Sequence, residues 1–190
     1  MARVVVTDLE YRKAQKVFAA AAAEGLECLT GPAGEAELAA FIRDKQARHA
    51  IVGVEPYRGA VYDALAKGAV LARFGVGHDG IDKPLASQHG IICTNTPGAL
   101  DDSVAEHTIN LLLAAARWTV PTAAGVKAGE WGPILGRELA GKTLAIIGCG
   151  PIGRRVAQIA AFGLRMKVAG CEVLDVDADG MRRDYGFERV

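Results

Sequence analysis

The sequence has no excess of charge of either sign: 22 basic and 22 acidic residues cancel over 190 positions. Without a positive field nothing draws the chain to nucleic acid or to an anionic bilayer, and neither partner is expected. Long apolar runs are missing too. The most apolar stretch lies within HTINLLLAAA (107–116), too short and too closely flanked by charge to span a bilayer. The start, MARVVVTDLE, carries one Arg and an acid by position 8, which is not the build of a secretory leader. A soluble cytoplasmic protein is the expectation. The four cysteines (Cys28, Cys93, Cys149 and Cys171) stand singly, with no C-x-x-C pair and no His at a metal-ligand spacing. No metal site is expected, and the thiols are expected reduced and packed as small hydrophobes.

What is present is apolar content, 51% of the chain, arranged as strand-length runs alternating with helical stretches. That alternation is the mark of an α/β protein. Strands are predicted at 3–7, 26–29, 50–54, 69–77 and 91–95, and helices at 9–25, 35–45, 59–68 and 83–90, with Gly25 as the stop of the first. Together they predict a small, flavodoxin-like doubly wound parallel sheet over residues 1–100.

The segment 96–103 then reads as a hinge, with turn chemistry at Pro97-Gly98. Ser103 and Glu106 match a capping box for a long helix, with Val104, Thr108, Leu111, Leu112 and Ala115 at helical spacing. Pro121 is expected to end or bend it.

Residues 143–163 carry the most specific signal. An apolar strand, TLAII, runs into Gly148-x-Gly150-x-x-Gly153 and then into a helix with Val156, Ile159 and Ala160 on one face. In a dinucleotide fold the first glycine makes the tight turn, the second lets a pyrophosphate approach the backbone, and the third lets helix and strand pack closely. The helix start supplies N–H groups to the phosphates. A second strand, 166–172, ends in Glu172, nineteen residues after Gly153. A carboxylate there can accept from ribose hydroxyls and repel a 2′-phosphate, favouring NAD over NADP, with Asp175 and Asp177 as rivals past the strand end. The same glycines would also serve a tight strand–helix turn in another kind of α/β protein. Arg154 and Arg155 either touch phosphate or stand solvated, and Pro151 removes one N–H from the cradle.

Three stretches in order, RFGVGHDGID (73–82), NTPGALDDSVAEHTINLLLAAAR (95–117) and ELAGKTLAIIGCGPIGRRVA (138–157), resemble the NAD-dependent D-2-hydroxyacid dehydrogenases, the family that includes phosphoglycerate dehydrogenase. The resemblance implies a substrate domain (1–100), followed by a hinge helix and the first part of a Rossmann NAD-binding domain (101–190). It implies that the N–H groups of Val76 and Gly77 bind the carboxylate of a small 2-hydroxy or 2-keto acid, 3-phosphoglycerate among them, as an anion nest. It places Val104 and Thr108 near the nicotinamide, Gly148, Gly150, Ile152 and Gly153 on the pyrophosphate, and Glu172 on the ribose. A homodimer through the long helix 103–120 is expected. Asp79 and Asp82 match acidic positions of the family and are read as turn caps in preference to a part in the chemistry. Gly80 stands where the family has Asn and is expected to loosen that loop. Arg58 either meets a second anionic group or is a solvated loop arginine.

The Arg, acid and His that do the family's chemistry have no counterpart before Val190, so no catalytic residue is assigned. Of His49, His78, His89 and His107, only His78 lies in the substrate loop, and Asp79 is the one carboxylate placed to orient it. Only two strands of the second domain are read. The expectation is a truncated chain, inactive alone, with a non-catalytic fragment or an NAD-sensing module as the alternatives.

Overall fold

The structure, a computed structural model, describes residues 1–190 and divides into two compact units, Met1–Ala99 and Leu100–Val190. In the first, five parallel strands are arranged β2-β1-β3-β4-β5: β1 (Ala2–Thr7), β2 (Leu26–Gly31), β3 (His49–Val52), β4 (Val70–Arg73) and β5 (Ile92–Thr94). This is the flavodoxin-like doubly wound order.

Period-two alternation along β1 explains why helices cover both faces. Val5 points into a core with Leu38, Ile42, Val52, Val61 and Leu71, which packs α3 (Glu35–Asp44), α4 (Ala60–Ala64) and α5 (Lys83–Gln88) on one face. Val4 and Val6 point the other way, onto Phe18, Tyr11 and Phe74, under α1 (Asp8–Lys13) and α2 (Gln15–Ala20). Each such fully buried aliphatic side chain contributes roughly 1.5–3 kcal/mol. The helix predicted over 9–25 is broken at Ala14 (φ −138°, ψ 37°) and tightens to a 3-10 turn over Ala21–Glu24, stopping at Gly25. Glu35 ties α3 to the next loop: its carboxylate accepts the N–H groups of Arg58 (2.9 Å) and Gly59 (2.7 Å). It is thereby the cap that α4 lacks in its own sequence.

In the second unit, α6 (Asp101–Ala116) begins two residues before the expected cap. Ser103 is already inside the first turn, and no side chain caps the helix. Asp101 and Asp102 at its start favour the positive end of the helix dipole instead. The buried stripe is Ala105 and Ile109 with Leu112 and Leu113. Of the predicted stripe, Leu112 packs on this core, whereas Val104 and Leu111 are 39% and 56% exposed, Ala105 taking the buried place of Val104. The helix ends at Arg117–Trp118, where Trp118 is left-handed (φ 55°), and not at Pro121. Pro121 sits in the first turn of α7 (Thr119–Lys127), where its missing N–H costs nothing.

Three parallel strands follow, ordered β6-β7-β8: β6 (Thr143–Ile147), β7 (Lys167–Cys171) and β8 (Phe187–Arg189). Read from β8 to β6, this is the first half, 3-2-1, of a Rossmann sheet. Leu144, Ile146, Val168 and Phe187 face α6, α8 (Pro151–Gln158) and α9 (Ala178–Tyr185). α8 widens into a π-helical turn over Ile159–Gly163. The sequence reading of two strands is corrected to three. β8 is only three residues long and two of them are charged, so it has no apolar run of its own. Phe187, 1% exposed, anchors it. No helix is long and apolar enough to cross a membrane.

Candidate functional site

The glycine loop begins where β6 ends. Gly148 has φ +96°, and its N–H donates to the Cys171 carbonyl (2.9 Å), continuing the pairing of β6 with the strand 167–171 before the chain turns. A Cβ at Gly153 would lie well inside contact with the Gly148 carbonyl oxygen and 3.3 Å from Ile146 Cγ2, so α8 can rest on β6 only with glycine there. At Gly150 a Cβ would meet nothing within 4 Å. That open space beside the loop suits a group approaching the backbone. The N–H groups of Gly150, Ile152 and Gly153 have no acceptor within the protein, and Pro151 contributes none. Three free donors at a helix start fit a diphosphate.

Glu172 follows β7 directly. Its Oε2 accepts the Cys149 N–H (2.8 Å) and its Oε1 the Val173 N–H (2.8 Å). These backbone bonds, from Val173 and Cys149 foremost, hold the carboxyl below the ordinary carboxylate range. The side chain is therefore ionised, fixed against the glycine loop, and left with acceptor capacity for a hydroxyl. Asp177, its sequence rival, caps α9 through Gly180 N–H (3.0 Å). Both arginines after the loop have protein partners. Arg154 Nε donates to the Cys149 carbonyl (2.8 Å) and lies over the Tyr185 ring, and Arg155 pairs with Asp102. Val104 and Thr108 lie on the exposed side of α6, with Thr108 Oγ1 donating to the Val104 carbonyl (2.7 Å). The packed-thiol expectation holds for Cys149, which is fully buried; Cys171 is exposed.

In the first unit, Val76 and Gly77 lie in the loop after β4, and neither N–H donates within the protein. Asn95 Nδ2 holds the Val76 carbonyl (2.8 Å) and Thr96 N–H the Gly75 carbonyl (3.0 Å), so the loop is pinned from β5. Gly80 does not loosen it. A Cβ there would lie 2.5 Å from the Glu55 carbonyl oxygen, while the Gly80 carbonyl accepts the Tyr57 N–H (2.8 Å). The residue is small because another backbone passes against it. Arg58 joins the same tether, donating to the carbonyls of Asp79 and Gly80 (3.4 Å each). Asp82 caps α5 through Leu85 N–H (3.0 Å); Asp79 caps nothing.

The sequence reading passed over a group of charged residues at the carboxyl ends of β1, β3 and β4. Glu10 is 3% exposed and is held by Thr7 Oγ1 and Lys13. Glu55 Oε2 and Arg73 Nε are buried without partners. The only signal was the acid-rich DLE after β1, which looks like an ordinary exposed helix start. Of the histidines, His89 does meet a carboxylate, Asp63 at 3.7 Å, but at the end of α5, which leads to the amino end of β5. Val76 and Gly77 lie at the opposite, carboxyl edge.

The family model for "D-isomer specific 2-hydroxyacid dehydrogenase, catalytic domain" matches residues 4–179. The chain is 39% identical over 169 residues to the D-3-phosphoglycerate dehydrogenase of Methanocaldococcus jannaschii, covering 87% of this chain and 32% of that protein. It is 47% identical over 107 residues to the glyoxylate reductase of Aeropyrum pernix, covering 51% and 32%. The matched segments thus span about a third of those relatives (32% of each). Among solved structures, a Thermus thermophilus protein superposes with a TM-score of 0.72 at 29% identity, covering 96% of this chain and 62% of its own. A glyoxylate reductase from Paecilomyes thermophila, at 22% identity and a TM-score of 0.75, shares the fold. With the strand orders, the glycine turn and a match over most of its length in agreement, the chain belongs to the D-isomer specific 2-hydroxyacid dehydrogenase family.

Proposed function

We propose that this chain is the substrate-binding unit and the first half of the NAD-binding unit of a cytoplasmic D-2-hydroxyacid dehydrogenase. In this reading residues 1–100 form the substrate domain and 101–190 the hinge helix and incomplete Rossmann domain. NAD, held by these residues, would supply the hydride acceptor or donor for C2 of a 2-hydroxy or 2-keto acid, 3-phosphoglycerate among the candidates. Gly148, Gly150, Ile152 and Gly153 hold the pyrophosphate, Glu172 the adenosine ribose, Val104 and Thr108 the nicotinamide side, and Val76 and Gly77 the substrate carboxylate. The observation that carries this is the pairing of Glu172 with the glycine loop, a fixed carboxylate beside three free N–H donors.

No histidine here stands beside both a carboxylate and the nest, so the chain by itself binds and does not turn over. Calorimetry with NADH tests the first half of that statement. Binding is expected, preferred over NADPH, and Glu172→Ala is expected to weaken it about tenfold through the loss of a charged acceptor. Absence of binding heat would leave an inert module of the same fold. Assays with NADH and a panel of 2-keto acids test the second half: no oxidation of NADH is expected.

The same reading includes a homodimer through the helix 103–120. The exposed apolar residues that support it continue beyond that helix. Val126, Trp131 and Ile134 are 57%, 90% and 44% exposed and line a cavity of about 230 Å³ beside α7.

A further inference from the structure

The amino ends of β6 and β7, at the other end of these strands from the glycine loop, carry a group of cations. Arg117, Arg137 and Arg165 line one cavity of about 210 Å³, which adjoins a wider groove of about 660 Å³ lined by Arg137 and Lys142. The backbone holds them there. Arg137 N–H donates to the Ala116 carbonyl (2.8 Å) and Gly141 N–H to the Arg165 carbonyl (2.9 Å), so the loop before β6 is fastened to the end of α6 and to the approach to β7. Arg117 Nε lies 3.0 Å from where a Cβ at Gly136 would stand, which turns its guanidinium onto the same loop. None of the four cations is in an ion pair, nor is Glu138, the one acid of the lining, whereas Arg155, Arg182 and Arg183 of the same unit each stand on an aspartate. Capping does not occupy the guanidiniums either: the Leu113 and Ala116 carbonyls at the end of α6 already accept the backbone N–H groups of Arg117 and Arg137. Arg165 also holds φ +55°, a left-handed backbone that glycine or asparagine takes at less cost.

We infer that this cluster is a binding site for a short chain of linked phosphates, inorganic or at the end of a nucleotide. A guanidinium presents a planar fork of donors that matches paired phosphate oxygens. Three of them and an ammonium around two adjoining spaces suit a ligand whose charge is spread over several oxygens. A single carboxylate would leave most of these donors unused. No aromatic side chain lines either space, so the recognised part is the phosphate chain and not a base. The chain as a whole has no net charge, so the attraction is local to this edge of the sheet.

Backbone amide resonances of the full chain test this. Inorganic tripolyphosphate is expected to shift Arg117, Arg137, Lys142 and Arg165 with one common dissociation constant. Arg165→Asn, which suits the left-handed backbone, and Arg137→Gln, at an exposed position, are each expected to raise that constant about tenfold, the loss of one charge-assisted contact. Any response of Gly148, Gly150 and Gly153 to the same ligand reports the glycine loop and is expected to be unchanged in both variants, so the two sites stand or fall separately. ATP of equal affinity assigns the phosphate chain whatever carries it; a clear preference for ATP assigns the nucleotide as its source. Four unmoved resonances overturn the site, as do shifts that survive both substitutions together. Equal shifts with sodium chloride at matched ionic strength also overturn it, since they would show screening and no bound ligand.

Discussion

His49 opens β3, and its Nδ1 accepts the Val70 N–H at 3.0 Å, a bond that only an unprotonated nitrogen can make. Burial, and after it the charge of Arg48, hold the imidazole below its ordinary value of 6.5. The unfolded chain therefore takes up this proton more readily than the folded one. Stability from this group is complete above about pH 6.5 and is lost as the pH falls below it toward the folded-state value. Urea midpoints are expected to drop between about pH 7 and about pH 5.5, and His49→Asn, which offers an uncharged acceptor, to flatten that drop. A profile unchanged by the substitution would show that the imidazole is not the titrating group. Glu10 and Glu35 also sit below their ordinary value, because their hydrogen bonds outweigh the effect of burial, but they act lower, below 4.5. None of this was legible in the sequence: His49 appeared only as a residue before a strand, and its partner is 21 positions away.

Between elements, the contact of β6 with α8 is the one on which the nucleotide reading depends. Alanine is ordinarily the better helix residue by up to about 1 kcal/mol. At Gly153 that gain is outweighed, because the new methyl would run into the Gly148 carbonyl oxygen, which belongs to backbone and cannot swing away. Gly153→Ala is expected to destabilise the second unit by roughly 1–3 kcal/mol and to abolish NADH binding. Trp118 and Trp131 both lie in that unit, so tryptophan fluorescence reports its unfolding separately from the first unit. A variant of unchanged stability that still binds NADH would sink the close-packing account. Here the sequence carried most of the answer, because strand, glycine turn and helix are contiguous. The pairing of Glu172 with Cys149 N–H, across 23 residues, it could suggest only by spacing.

Over the whole molecule, each unit has its own core, one centred on Val5, Leu38 and Tyr62 and the other on Ile109, Val168 and Phe187. Large apolar side chains left outside both are concentrated between Trp118 and Leu135. Single exposed apolar residues are ordinary, but a run of this kind around a cavity is typical of a surface covered in solution. Sedimentation velocity is expected to show a dimer, and Trp131→Asp to convert it to monomer while leaving the circular dichroism unchanged. A wild-type monomer at tens of micromolar would remove the dimer from the proposal.

The sequence by itself determined the α/β alternation, the position of the glycine turn, the helix stop at Gly25 and the cap of α5 at Asp82, because each is written in residues adjacent along the chain. Tertiary structure alone decided that α6 buries Ala105 and Ile109 beside Leu112 while Val104 and Leu111 stay exposed, since both sets have helical spacing and only the sheet beneath selects one. It decided likewise that Gly80 tightens its loop, because the backbone that crowds it comes from residue 55. It added β8 as well, a strand too short and too charged to be seen until Phe187 is placed against β7. Local patterns specify which elements form; only the packing of distant segments specifies which faces and which donors remain free.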